Sequence, residues 1–202
     1  MPAEVAFDGE GFVVTRIVTE PLDNNVYLIT CTETRSSLIV DAASHTDGIL
    51  SLATDTDVDA VFTTHGHWDH HGAIPELTDR LSVSFMLHPL DADLAGKTPD
   101  TPVSEGELLL GNVTMDIIHT PGHTPGSVCI SLDGVVLTGD TLFPGGPGAT
   151  RFEHSSFETI IESIESKLFT LPDETVVLPG HGAATTIGTE RPQLPAWIAR
   201  GW

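Results

Sequence analysis

Basic side chains are the scarcest feature of this chain. Its only lysines are Lys97 and Lys167, and 8 Lys+Arg stand against 29 Asp+Glu, a formal net charge of −21 over 202 residues. Nucleic-acid binding draws most of its affinity from cations that displace phosphate counterions, so no nucleic-acid partner is expected. The same repulsion opposes docking on anionic lipid, and no membrane partner is expected either. The acidity fits high solubility, or a salt-rich cytoplasm whose short Debye length screens self-repulsion. Cysteine is nearly absent. Cys31 and Cys129 fall within strand-like runs, Val26–Cys31 and Ser127–Leu132, and are expected as buried free thiols rather than a disulfide. No apolar run approaches the roughly 20 residues that cross a bilayer. The first residues, Met-Pro-Ala-Glu-Val-Ala-Phe-Asp, carry neither the basic n-region nor the apolar h-region of a secretion signal. A cytoplasmic protein is the expectation.

What is present is a hydrophobic fraction of 40% with 18% charged residues, enough for a proper core and expected as one domain over 1–202. Apolar residues recur mostly at period two or in short runs bounded by Gly, Pro, Asp and Thr. These predict strands at Phe12–Thr19, Val26–Thr30, Ser37–Val40, Ala60–Thr63, Ser84–Leu87, Leu108–Leu110, Thr114–His119, Ser127–Leu132, Val135–Thr138 and Thr175–Leu178. Helices are predicted at Thr46–Thr54, His71–Arg80, Pro89–Ala95 and Ser155–Phe169, with a weaker one in the C-terminal tail. In Ser155–Phe169 the residues Phe157, Ile160, Ile161, Ile164 and Leu168 share one helical face behind a capping Ser155 or Ser156. Strands precede helices in two similar halves, which suggests an α/β fold of two packed sheets with helices outside.

Thr64-His-Gly-His-Trp-Asp-His-His-Gly72 carries the chemistry. It follows the predicted strand 60–63, and residues two apart in extended chain point the same way, so His65 and His67 can grip one ion. Asp69 and His70 fall where the chain turns toward a helix and can face a second. Zinc takes neutral imidazole nitrogens and carboxylate oxygens. His123 lies just beyond a strand and a Pro-Gly turn, Asp140 ends the run Val135-Val-Leu-Thr-Gly, and His181 ends Val176-Val-Leu-Pro-Gly. Each follows an apolar run able to anchor it. His45, His88 and His154 stand alone and read as ordinary core or surface histidines. His119 reads as part of its strand, and His71 is left out because its neighbours already complete a two-metal set.

His-x-His-x-Asp-His, a later His, an Asp after Thr-Gly and a His within Pro-Gly-His-Gly together resemble the metallo-beta-lactamase superfamily. Within it the chain is most similar to glyoxalase II-like (hydroxyacylglutathione hydrolase-like) enzymes. Their Thr-His-x-His-x-Asp-His, His-Thr-Pro-Gly-His-Thr-Pro-Gly-Ser and Thr-Gly-Asp-Thr-Leu-Phe are matched at Thr64–His70, His119–Ser127 and Thr138–Phe143. The likeness runs from about Asn25 to His181. It implies a four-layer αββα sandwich with metals at one edge. It also implies two zinc ions, with iron or manganese as alternatives in either position. His65, His67 and His123 would hold one ion, and Asp69, His70 and His181 the other, with Asp140 bridging. Asp41, ending Ser37-Leu-Ile-Val-Asp, matches a position that buttresses the histidine loop.

The resemblance further implies hydrolysis of a small acyl substrate, a thioester foremost, by a water shared between the metals. Asp69 would take and return the proton. A lactonase or β-lactamase using the same site, or a persulfide dioxygenase with a single iron, are the alternatives. Flavodiiron-type proteins carry Glu where this chain has His67. The stretch Phe143–His154 replaces the Gly-Arg-Thr-Asp-type loop of many relatives, and Arg151 is its one anion-binding group. Arg151 is therefore a substrate-binding candidate; its other role would be to pin that loop, for instance to Glu153. After His181 the only cations are Arg191 and Arg200, an expectation against the basic glutathione-holding region of longer relatives.

Overall fold

The computed structural model describes residues 2–201. Its first sheet runs Glu4–Gly9 (β1), Phe12–Thr19 (β2), Asn24–Cys31 (β3), Ser36–Val40 (β4), Asp57–Phe62 (β5), Ser84–Leu87 (β6) and Thr101–Pro102 (β7), neighbours in that order. Pairing is antiparallel from β1 to β4 and parallel from β4 to β7. The second sheet contains Gly106–Leu110 (β8), Val113–His119 (β9), Val128–Leu132 (β10) and Val135–Gly139 (β11), then Val176–Pro179 and Thr185–Thr186 at its far edge. A two-stranded ribbon of Leu142–Phe143 (β12) and Gly146–Pro147 (β13) intervenes, so the last two strands are β14 and β15. Within this sheet β11 and β14 are parallel.

Alternation along the strands divides the apolar residues between three cores. Leu38 and Val40 of β4, Ala60 and Phe62 of β5, Val128, Ile130 and Leu132 of β10, and Val135 and Leu137 of β11 meet in the layer between the sheets. Their neighbours point the other way. Ile39 and Val61 pack with Ile49 of Thr46–Leu52 (α1) and with Ile74 and Leu77 of Ile74–Leu81 (α2). Cys129, Val136 and Val177 pack under Ile160, Ile161 and Ile164 of one helix, Phe157–Ser166, and under Ile187, Leu194 and Trp197 near the C-terminus. The layers are therefore helix, sheet, sheet, helix, the expected αββα arrangement. Both cysteines are buried and free. No helix among the described residues is long and apolar enough to cross a membrane.

Every strand predicted from the sequence is present, most within two residues of the expected ends. The first strand, β1, was not legible: none of its six residues is buried and three are exposed, so it shows little apolar alternation. The predicted helix 71–80 begins at Ile74, because Trp68–His70 forms a separate tight 3-10 turn. The predicted helix 89–95 divides into a 3-10 turn, Pro89–Asp91, and the single turn Ala92–Ala95 (α3). That makes Phe157–Ser166 α4; Ser156 caps it by accepting from Thr159 N–H at 3.2 Å, and it closes in a 3-10 turn at Leu168–Thr170. The tail holds Ile187–Glu190 (α5) and Leu194–Arg200 (α6).

The carboxyl ends of β4, β5, β11 and β14 gather at one edge of the sandwich. There Asn25 N–H donates to Gly180 O at 2.8 Å, and Asn24 and His181 form an isolated antiparallel bridge. These contacts stitch the two sheets together where loops from both must converge.

Candidate metal centre

Loops at the carboxyl ends of parallel strands are the usual place for ligands in α/β sheets, and here they supply Asp41 after β4, Thr63–His70 after β5, Asp140 after β11 and His181 after β14. His123 arrives from the turn between β9 and β10. The structure brings all seven residues expected from the sequence into one cluster. His67 Nδ1 lies 2.9 Å from His123 Nε2, and His70 Nε2 lies 3.2 Å from His181 Nε2. Asp69 Oδ2 is 3.4 Å from His181 Nε2 and 3.7 Å from His70 Nε2. Asp140 stands between the groups, with Oδ1 3.5 Å from His70 Nε2 and Oδ2 3.6 Å from His123 Nε2 and 3.7 Å from His181 Nε2. Three sets have donor atoms within 4.8 Å of one another and could each hold an ion: His65, His67, His123; His65, His70, Asp140; and Asp69, His70, His181.

The outward nitrogens explain why the inward ones are free to coordinate. His70 Nδ1 donates to Asp41 Oδ2 at 3.0 Å, His123 Nδ1 to Ala149 O at 2.8 Å, and His181 Nδ1 to Leu22 O at 2.9 Å. Thr64 Oγ1 gives its own proton to Asp41 Oδ2 at 2.9 Å, so it accepts from His65 Nδ1 at 3.1 Å. A donor bond on one ring nitrogen leaves a lone pair on the other, the pattern that orients metal-binding histidines. Two inward atoms, His65 Nε2 and Asp140 Oδ1, are buried with no hydrogen-bond partner among the described residues. Buried polar atoms are rarely left so, and a cation would satisfy both. The donor set fits zinc or a comparable divalent ion.

Electrostatics divide the cluster. Burial, with neighbouring imidazoles adding to it, holds His65 well below its ordinary pKa, His123 at about 3 and His67 at about 4. That group is neutral and ready to ligate. Across from it, burial works against the charge on His70, but the carboxylates of Asp140 and Asp41 outweigh it and lift His70 to about 9. His181 is also raised: burial opposes its charge, and the Asp69 contact wins. For Asp69 burial pushes upward, yet His181, His70 and Asn24 hold the carboxyl below its usual range. His70 and His181 would have to give up their protons to ligate a dication, which would then pair with the Asp69 and Asp140 carboxylates.

Two buried carboxylates hold the loops. Asp41 accepts Thr64 N–H at 2.8 Å in addition to its contacts above. Asp91, fully buried, accepts Gly66 N–H at 2.7 Å, Thr124 Oγ1–H at 2.6 Å and Gly126 N–H at 2.6 Å, tying the His65–His67 loop to the His123 turn. Asn24 Nδ2 donates to the Asp69 carbonyl at 2.9 Å and to its Oδ2 at 3.1 Å. Gly180 is there because nothing larger fits: a Cβ would stand 2.5 Å from Asp140 Oδ1 and 2.6 Å from His70 Cε1.

Asn24, Asp91 and His154 are the participants that sequence reasoning missed. The first two carry no local signal, since their partners are 25 to 157 residues away. His154 was set aside as a lone histidine, yet its Nε2 lies 3.0 Å from His67 Nε2. His71 contacts the Gly66 carbonyl at 3.3 Å and joins none of the three sets; His119 ends β9, stacks on His88 at 4.5 Å, and stays apart, as does exposed His45. The cluster opens into a cleft of about 580 Å³ whose rim includes Leu22, Trp68, Arg151, Phe152 and His154. Among the described residues Arg151 meets no carboxylate; its guanidinium lies over the Phe152 ring, 5.5 Å from the centroid.

Known proteins share this chain's sequence pattern and fold. The chain is 33% identical over 188 residues to hydroxyacylglutathione hydrolase GloC of Haemophilus influenzae, covering 80% of this chain and 87% of that one. It superposes on TTHA1623 in a di-iron-bound form with a TM-score of 0.79 at 32% identity, covering 87% and 96%. ETHE1 from Myxococcus xanthus gives a TM-score of 0.81 at 30% identity, covering 89% and 82%. Residues 19–181, which hold all of the cluster, match the family signature of the metallo-beta-lactamase superfamily, and the chain belongs to that family.

Proposed function

We propose that this protein is a dinuclear metal-dependent hydrolase that cleaves a thioester or related acyl ester of a small molecule. His65, His67 and His123 would hold one cation and Asp69, His70 and His181 the other, with Asp140 next to histidines of both groups. The observation that carries this is the pairing of outward hydrogen bonds with inward lone pairs around two buried, partnerless polar atoms. Zinc is the expected metal, with iron or manganese as alternatives in either position; a similar structure, TTHA1623, was obtained with two irons.

Divalent cations bound there would supply a water of lowered pKa, about 7, and a Lewis acid for a carbonyl oxygen. The chain supplies the rest. Asp69, kept ionised by His181, His70 and Asn24, is the group that would take and return a proton. Trp68, 65% exposed, stands with Leu22 and Phe152 at the cleft mouth and offers apolar surface to the substrate's acyl or thiol arm. Arg151 on the same wall is the group that would receive a substrate carboxylate. The charge of −21 and a cleft of about 580 Å³ favour a small molecule over nucleic acid.

The test is metal analysis of the purified protein together with hydrolysis of a thioester, lactone and β-lactam panel, with oxygen uptake followed in parallel. Close to two metals per chain and thioester cleavage without oxygen uptake are expected. Selective turnover of lactones or β-lactams would move the substrate class while keeping the site. One iron per chain with oxygen consumed on a persulfide would replace the hydrolase with a dioxygenase.

A further inference from the structure

The five inward-facing imidazoles differ in what stands behind them. Four are backed by oxygen: Thr64 Oγ1 behind His65, Asp41 Oδ2 behind His70, Ala149 O behind His123 and Leu22 O behind His181. Those oxygens are carbonyl or carboxylate acceptors, or a hydroxyl whose proton is already committed, so each fixes its histidine's tautomer. His67 alone is backed by nitrogen. Its Nδ1 faces His123 Nε2 at 2.9 Å inside the cluster, and its Nε2 faces His154 Nε2 at 3.0 Å on the cleft wall. Two ring nitrogens that close share one proton, so one must donate and the other accept.

We propose that His154 is a positioning residue that accepts the Nε2–H of His67 and so keeps the Nδ1 lone pair aimed into the three-histidine group. This rests on the dinuclear function proposed above. The direction follows from the cluster, because a lone pair at Nδ1 requires the proton at Nε2; His154 then carries its own proton on Nδ1. The loop that presents His154 is anchored to the same group of ligands. Ser155 Oγ–H donates to His123 O at 2.8 Å, Ser156 N–H to Gly122 O at 2.8 Å, and Ala149 O accepts from His123. Phe152 stacks on His154 with planes 3° apart and touches His67 at a centroid distance of 4.8 Å, so the ring of His154 cannot swing freely on that side. The 149–156 loop thereby fixes the tautomers of two of the three histidines, and His154 is the part of it made by a side chain.

The full-length chain and its His154→Leu and His154→Gln variants would be titrated with zinc against a competing chelator, and His67 would be followed by 15N NMR in histidine-labelled protein. Loss of an outer partner of a metal-binding histidine costs roughly 10- to 100-fold in affinity. His154→Leu is expected to show that loss at one of two zinc steps, with the other held within about threefold as the control for folding. His154→Gln, whose amide oxygen can accept, is expected to recover most of it. The His67 spectrum should report Nε2–H in the wild type and a mixture in His154→Leu. Unchanged zinc affinities in His154→Leu, or a change confined to KM, would overturn the role, as would Nδ1–H on wild-type His67. If the wild-type chain bound no metal, the proposed function would fall, while the His67 tautomer would still decide the role of His154.

Discussion

Asp41 and His70 meet through a 3.0 Å contact between Oδ2 and Nδ1, and the same carboxylate accepts the backbone N–H of Thr64 at 2.8 Å and its hydroxyl at 2.9 Å. One buried anion thus sets the tautomer of His70 and the start of the loop that carries it together with three other ligands, His65, His67 and Asp69. Asp41 has a left-handed backbone, φ 57°, which asparagine also tolerates. An amide has only one accepting atom, so Asp41→Asn keeps the fold and loses at least one of the three contacts. Zinc affinity is expected to fall about 10- to 100-fold, read by chelator competition. An affinity equal to the wild type would show that His70 needs no such partner.

Asp140 and Gly180 test the middle of the site from two sides. Asp140→Ala removes the one carboxylate that reaches His70, His123 and His181, so both metals should lose their spacing and nearly all activity should go. Gly180→Ala leaves every ligand in place but pushes a methyl against Asp140 Oδ1 and His70 Cε1. Overpacking of this kind costs about 1–3 kcal/mol, and here the strain falls on two ligands. Gly180→Ala should therefore weaken metal binding and kcat together, while His45→Ala, on an exposed residue outside the three sets, leaves both unchanged. Elemental analysis and steady-state kinetics on the three variants check the order.

These variants also mark what the sequence could and could not reveal. The His65–His70 run was readable because an extended pair and a following turn are local geometry, and because Asp140 and His181 each end a short apolar strand. Asp91 was not readable. Its three partners lie 25 to 35 residues away and are joined only after both sheets close. His154 failed for a different reason: a single histidine in a Gly-rich loop has no spacing to distinguish it, and only the 3.0 Å contact with His67 does. The strand β1 escaped because an exposed edge strand pairs through its backbone and shows little apolar alternation.

The pH dependence of stability follows from the divided cluster. His123 and His67 titrate at about 3 and about 4 in the folded chain, against about 6.5 unfolded. Below that unfolded value the unfolded chain gains protons that the folded one refuses, so stability falls by about 1.4 kcal/mol per pH unit for each such histidine. His70, lifted to about 9, is protonated in both states in this acid range and adds no slope there. Its contribution is complete below about 6.5 and is lost as pH rises through 9. EDTA-treated protein should therefore be most stable near neutrality, with Tm dropping on the order of 8–15 °C between pH 7 and 5. Zinc added at pH 7.5 should release protons into a weakly buffered solution. A Tm that rises steadily on acidification would contradict the assignment of the neutral histidines.

Arg151 offers the sharpest test of what the cleft accepts. The surface carries a net charge of −21, so an anionic substrate approaches against a repulsive potential unless something local draws it in. Arg151 is exposed on the cleft wall, over the Phe152 ring and paired with no carboxylate among the described residues. The alternative role, pinning its loop to Glu153, has no contact to support it, and the loop is already held through Ser155, Ser156 and Ala149. Arg151→Ala is therefore expected to raise KM for a carboxylate-bearing thioester by roughly tenfold, the size of one charge-assisted contact of about 1.5 kcal/mol. A neutral thioester of similar bulk should change little. The contrast should shrink in 1 M salt, where the Debye length is about 3 Å. Steady-state kinetics on both substrates, for both proteins and at two salt levels, separate the outcomes. An equal loss on charged and neutral substrates, insensitive to salt, would show that Arg151 only stiffens its loop.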